Sequence, residues 1–383
     1  MVASFSTRVN GDSPTKRRLL ADKKIRIAVV GAGWAGQAHV KFYKDLPFVE
    51  IVGWADVAPG KAATAAASAG IPADRVFTDF RQMIDRVVPD AVSVCTFNMG
   101  HREPTIYALE AGKHVLLEKP MAATLDDAAA IMRAWEKTDR ILMVAFQPDF
   151  SAENLAAKQI VDTGMLGDIY YSEAVTHRRF GIPGGNFVKK ATAGFGTLVD
   201  TGVYAIHNNL WLMGDPKPIA VSAITGNPLA KAYKGIRQTF GGPWSAEEFE
   251  VEEFAFAFVR FENGAAMIVK STWAAHADSI GRTFFLGTKA GLALDPLEVF
   301  QNQSVGEFNM TMTPKNIAKE ESSAAWGLKM RRFAEAVRDG LPSPIDPRGV
   351  YLVNVIMDGV IRSAAEKREV AVNASYALVG ARA

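Results

Sequence analysis

The chain has 383 residues, 49% hydrophobic and 22% charged, and its 43 basic and 41 acidic side chains leave a formal charge of +2. That length exceeds the roughly 250–300 residues that one hydrophobic core serves, so two domains are expected. Basic residues bunched at Lys16, Arg17, Arg18, Lys23, Lys24 and Arg26 account for more than the excess charge, which leaves a body too neutral for a nucleic-acid footprint.

Residues 1–22 carry a twin arginine without an apolar stretch after it, and read as a flexible tail, not an export signal. From residue 23 the pattern alternates. The apolar run "IRIAVVG" is a strand, "GWAGQAHVKFYKDL" a helix, "EIVGWAD" a strand and "PGKAATAAASAG" an Ala-rich helix. "DAVSVCT", "HVLLE" and "RILMVAF" are further strands, separated by the helices "HREPTIYALEAG" and "TLDDAAAIMRAWEKT". Continuous apolar strands alternating with helices imply a doubly wound parallel sheet covered on both faces, a dinucleotide-type α/β unit over 23–148. Beyond it the character changes. A glycine-rich loop, "FGIPGGNFVKKATAGFG", leads into the helix "TLVDTGVYAIHNNLWLMG", and long strand-like segments follow. They predict an α+β domain over 149–383 with a large, mostly antiparallel open sheet. No apolar run approaches the ~20 residues of a membrane helix. The single cysteine, Cys95, cannot form an intramolecular disulfide, and a cytoplasmic location fits.

Three stretches carry chemistry. Gly31, Gly33 and Gly36 in "GAGWAG" follow a strand and open a helix, where backbone can approach a pyrophosphate at the positive helix end. Asp56 ends the second strand about 20 residues after the last glycine, placed to bond the adenosine ribose hydroxyls. No arginine follows it, so NAD is favoured over NADP. The second stretch, "VLLEKP", places Glu118 and Lys119 at a strand tip, and Pro120 restrains Lys119 to extended geometry. In the third, Asp200, Tyr204 and His207 stand at i, i+4 and i+7, on one helical stripe. Alone, that stripe reads more readily as a solvated face, or as a tyrosine and histidine hydrogen-bonded within the core; Lys119 reverses the preference if the two elements converge. No Cys/His cluster or HExxH spacing suggests a metal site.

"GAGWAG", "TFNMGH", "ALEAGKHVLLEKP" and "GFGTLVDTGVYAIHNNLWLMGDPKP", in this order, resemble the Gfo/Idh/MocA oxidoreductases over residues 23 to about 372. The resemblance implies a Rossmann domain, a C-terminal open sheet holding substrate, and a nicotinamide cofactor between them. Its cofactor set is Gly31, Gly33, Trp34, Ala35, Gly36, Asp56, Thr96, Asn98, His101, Glu118, Lys119 and Gln147. Its catalytic set is Lys119, Asp200, Tyr204 and His207, with Tyr204 where a histidine is frequent and His207 where an aspartate is common. Phe97 replaces a usual proline. Substrate contacts are expected from the catalytic four, Arg179 and Trp273, although surface charge is the commoner explanation for Arg178, Arg179 and Lys189 or Lys190, and core burial equally explains Trp273.

The implied reaction moves hydride between NAD and a secondary hydroxyl of a sugar, glycoside or cyclitol. Lysine either stabilises the oxyanion or, with its pKa lowered by burial, accepts the proton. The alternatives are an NAD-dependent glycosidase working by transient oxidation and a non-catalytic sugar sensor. The resemblance also implies a homodimer or homotetramer formed through the sheet.

Overall fold

β-Branched and alanine-rich runs, whose charges Arg26 and Glu50 lie near strand starts, become the strands of the first sheet, since strands covered on both faces must be largely apolar. In the computed structural model, which describes residues 24–232, 241–242, 244–312 and 322–377, these are β1 (Ile25–Val30), β2 (Val49–Ala55), β3 (Val76–Phe77), β4 (Ala91–Val94), β5 (His114–Leu117) and β6 (Leu142–Val144). The expected tail, residues 1–22, lies outside the described residues. The strands are all parallel, in the order β3-β2-β1-β4-β5-β6. The order reverses between β1 and β4, and their carboxyl ends open the crevice in which doubly wound sheets bind ligands.

The helices between these strands are α1 (Trp34–Lys44), α2 (Lys61–Ala69), α3 (Phe80–Val87), α4 (Arg102–Glu110) and α5 (Leu125–Trp135). Thr124 accepts the Asp127 amide and so caps α5, whereas α1 starts at Gly33 with no side-chain cap. Its first amides are left for another partner.

α6 (Ala152–Asp162) leads to the second sheet. Its strands are β7 (Ile169–His177), β8 (Pro218–Gly226), β9 (Phe254–Phe261), β10 (Ala266–Thr272), β11 (Phe284–Gly287), β12 (Gly291–Ala293), β13 (Glu298–Gln303), β14 (Gly306–Thr311) and β15 (Val370–Ala371). Among the described residues the order is β14-β13-β12-β11-β7-β10-β9-β8-β15, antiparallel except for β7 beside β10. The inner face is built by alternation: Ser172 and Ala174 of β7, and Met267, Val269 and Ser271 of β10, are buried. α7 (Val203–Met213) packs on β7, and α9 (Pro347–Glu366) packs on β8.

The sequence order assigns everything after 148 to one unit, but α8 (Ser322–Asp339) returns to the first sheet and packs on α1, β1 and the Gln147–Phe150 turn. Among the described residues no helix is long and apolar enough to cross a membrane.

Candidate active site

The three glycines of the first loop have different duties. Gly31 has φ +99°, and a Cβ there would run into the Cys95 carbonyl; one at Gly36 would run into the Gly31 carbonyl. Gly33 has no heavy atom within 4 Å of its missing Cβ. Two glycines therefore let the protein pack on itself, and the third faces open space at the uncapped start of α1. A diphosphate fits there, held by backbone N–H groups.

Asp56 closes the same loop. Its Oδ2 accepts the Ala32 amide at 2.7 Å and its Oδ1 the Ala58 amide at 2.9 Å. An ionised carboxylate offers about four acceptor positions, so capacity remains for ribose hydroxyls. Beside it is a pocket lined by Ala58, Phe77, Thr78 and Gln82, suited to the adenosine end. A 2′-phosphate would meet the carboxylate, although Lys61, with its ammonium 3.4 Å away, offsets part of the repulsion. NAD should therefore bind about tenfold or more tighter than NADP, and Asp56→Ser should narrow that gap. A titration in which the unaltered protein prefers NADP would remove this role.

Lys119 leaves the end of β5, and its bond to Pro120 is cis. Its Nζ donates to the Asp200 carbonyl at 2.8 Å, lies 3.5 Å from Asp200 Oδ1, and hydrogen-bonds Tyr204, whose ring centroid is 4.8 Å away. Asp200 sits in a π-helical turn, Leu198–Gly202, that runs into α7. Such turns are frequent at functional sites. This one is fastened to the sheet through Thr197 Oγ1 and Ser271 Oγ, 3.0 Å apart, and through Glu252 Oε1, which accepts the Gly196 and Leu198 amides. Burial pushes the Glu252 carboxyl up to about 7.

The Lys119 side chain is 15% exposed, and burial works against its charge. Tyr204, Asp200 and Glu118 outweigh that effect, so its proton is held more firmly than in an ordinary lysine. Burial also raises the Tyr204 phenol, against the pull of Lys119. At neutral pH the pair is an ammonium beside a neutral phenol, and the lowered lysine pKa considered from the sequence is not found. Gln147 bonds Tyr204 as well.

Lys119, Asp200 and Tyr204 thus converge as the stripe requires, but His207 does not join them. It is 3% exposed, stacks on Phe146 at 4.2 Å, and its Nε2 meets Asp149 Oδ2 at 2.7 Å. The same Phe146 lies edge-on to Tyr204, so its ring stands between the two. At about 1.5 Å of rise per residue, the histidine is carried past the site along the helix axis. Burial lowers its affinity for a proton and Asp149 raises it, with a net rise.

Four other expectations need correction. Trp273 does not line a sugar face: it is fully buried, and its Nε1 donates to Asp200 Oδ2 at 2.9 Å. Arg179 pairs with Asp278, while its neighbour Arg178 reaches Asp200 Oδ2 at 3.4 Å. Residue parity separates them, because Arg178 continues the buried row of Ser172 and Ala174. His101 is fully buried, its ring nitrogens meeting the Pro120 and Thr96 carbonyls. Burial lowers its pKa. Glu118 is also enclosed, its carboxylate taken by His39 and Lys329.

Of the remaining cofactor candidates, Trp34 is 74% exposed beside Gly33, and Thr96 Oγ1 and Gln147 Oε1 are buried without a partner, as acceptors awaiting a ligand would be. Asn98 Nδ2 donates to the Ala193 carbonyl, tying its turn to the glycine-rich segment. Among the described residues no cluster could hold a metal ion.

A glycine loop open to a diphosphate, a pocket beside Asp56 and a partly buried lysine–tyrosine pair at the sheet's carboxyl end are the features that a dinucleotide-dependent oxidoreductase requires. The chain belongs to the Gfo/Idh/MocA family: the model for that oxidoreductase family, with its NAD-binding Rossmann fold, matches residues 25–146, and the model for the family's C-terminal domain matches 154–293. A D-glucoside 3-dehydrogenase of Escherichia coli K12 is 30% identical over 352 residues, 90% of this chain and 97% of the relative. A scyllo-inositol 2-dehydrogenase (NAD(+)) of Bacillus subtilis 168 is 25% identical over 83% of this chain and 88% of its own. Levoglucosan dehydrogenase, solved with NADH and levoglucosan, has the same fold: TM-score 0.73, 24% identity, 91% of this chain and 100% of the other. The chain is an NAD-dependent oxidoreductase that acts on CH–OH groups.

Proposed function

We propose that the protein oxidises a secondary ring hydroxyl of a glucoside or a closely related sugar or cyclitol. The observation that carries this reading is the Lys119 ammonium, fixed between Asp200 and Tyr204 at the mouth of the dinucleotide crevice. Its likeness to the glucoside dehydrogenase over nearly the whole of both chains supports the substrate class.

When bound, NAD supplies the hydride acceptor; Gly33, Asp56 and the amides of α1 would hold it. Lys119 donates to the reacting oxygen and stabilises the charge that grows there. Tyr204, bonded to Lys119, relays the hydroxyl proton outward. Asp200 orients the lysine, and Trp273 and Arg178 in turn hold Asp200.

Because both Lys119 and Tyr204 hold their protons above their ordinary values, the acceptor form appears only as pH rises. Alcohol oxidation should still be accelerating toward about pH 10, while reduction of the ketone, which needs a donor, should slow over the same range. A panel of methyl glucosides, free hexoses and inositols, followed by NADH appearance, tests the reading. Turnover of at least one member is expected; NAD binding with no reduction by any of them would favour the sensor.

Assembly as a homodimer or homotetramer through the outer face of the second sheet goes with this proposal. It is supported by an open apolar pocket there, lined in part by Ile224, Phe256, Phe258 and Ile268. A cytoplasmic location is supported by Cys95, which is free and buried.

A further inference from the structure

Lys329, on α8, is 0% exposed, and a buried ammonium persists only with partners that offset its lost hydration. Its Nζ donates to Glu118 Oε1 at 3.1 Å and to the Ala145 carbonyl at 3.4 Å, and it lies 3.8 Å from the centroid of the Trp326 ring. His39 Nε2 meets the same Glu118 oxygen at 2.9 Å, and Glu118 Oε2 accepts the Lys119 amide at 3.2 Å. The carboxylate adjacent to Lys119 in sequence is therefore committed to α1 and α8, while the Lys119 ammonium reaches the opposite way in the chain, to Asp200 and Tyr204.

We propose that Lys329 is a positioning residue for Lys119: by engaging Glu118 it leaves the Lys119 ammonium to Asp200, Tyr204 and the reacting oxygen. The proposal rests on the reading of Lys119 as the group at that oxygen. It explains why a helix beyond the second sheet returns to the first, since its cation completes the charge balance under the catalytic strand tip.

The groups bearing on this balance are His39 and Tyr43 from α1, Cys95 after β4, Glu118 and Lys119 after β5, Asp200 and Tyr204 at the start of α7, and Lys329 from α8. Burial keeps His39 from charging readily, so the cation that matches Glu118 is Lys329. Without it, the Glu118 charge would act on Lys119 unopposed and tighten its hold on the proton. Without the Glu118 charge, its own pull on the Lys119 proton is lost and that hold loosens.

Competitive acetylation with acetic anhydride across a pH series, read by mass spectrometry on the peptide carrying Lys119, reports the neutral amine without any substrate. In K329M the labelling midpoint should move up by about one pH unit, equivalent to about tenfold less labelling at a fixed lower pH. In E118Q it should move down, and in the E118Q/K329M double variant it should return toward the wild-type value. Should K329M fail to fold, K329Q, which keeps a hydrogen-bond donor for Glu118 without the charge, should show the same upward shift. A midpoint unmoved in the folded Lys329 variant, with only the melting temperature lowered, would mean that Lys329 is merely structural. Retained turnover in Lys119→Ala would instead sink the catalytic reading, independently of the labelling result.

Discussion

Lys119→Ala should lower turnover by two or more orders of magnitude while leaving NAD affinity within about threefold, the cost expected for losing an electrostatic or acid–base group at the reacting oxygen. The separation follows from the geometry. The lysine's contacts are Asp200 and Tyr204, whereas the dinucleotide would be held at Gly33 and Asp56, at the ends of other strands. Tyr204→Phe should then flatten the alkaline limb of the pH–rate profile, because it removes the hydroxyl bonded to Lys119. His207→Ala should leave that limb in place and lower stability instead, since it breaks the buried pair with Asp149 and uncovers Phe146. Near-full activity in Lys119→Ala would make the strand-tip lysine structural.

Gly33→Val should weaken NAD binding by about a hundredfold or more in a protein that melts within a few degrees of the wild type. Gly33 has φ −72° and ψ −173°, extended backbone that valine adopts readily, and its missing Cβ would touch no protein atom. The new methyls would occupy the space left for the diphosphate. The same change at Gly31 or Gly36 would strike a backbone carbonyl and damage the fold itself, so Gly33 is the position at which binding and folding separate. Calorimetric titration with NAD, alongside a thermal melt, reads both. Unchanged affinity in the folded variant would place the phosphates elsewhere.

Much of this was legible because local pattern and tertiary role coincide. "IRIAVVG" and "DAVSVCT" are mostly apolar on both faces, as strands covered on both sides are, and the glycine spacing with Asp56 points to the loop between them. "VLLEKP" announced a constrained lysine, and the helical stripe supplied two of its partners. What failed depends on distance along an axis or on parity. His207 shares the stripe but stands beyond Phe146, and Arg178 differs from Arg179 only in which face of β7 it continues. Trp273 continues the buried row of Met267, Val269 and Ser271, which points it inward to Asp200. Strand register would have settled both of the last two cases, but it is set by pairing with distant segments. The return of α8 left no local trace. Lys329 looks in sequence like any helical lysine, and only its docking beneath Glu118 gives it meaning.

The central claim is net transfer of hydride from a sugar carbon to NAD, and stoichiometry tests it most directly. With a turned-over methyl glucoside and excess NAD, NADH and keto sugar should accumulate together, one for one, and the methyl aglycone should stay attached. Release of aglycone with only catalytic NAD and no accumulating NADH would contradict the account, because hydride would then be returned to the substrate within each turnover.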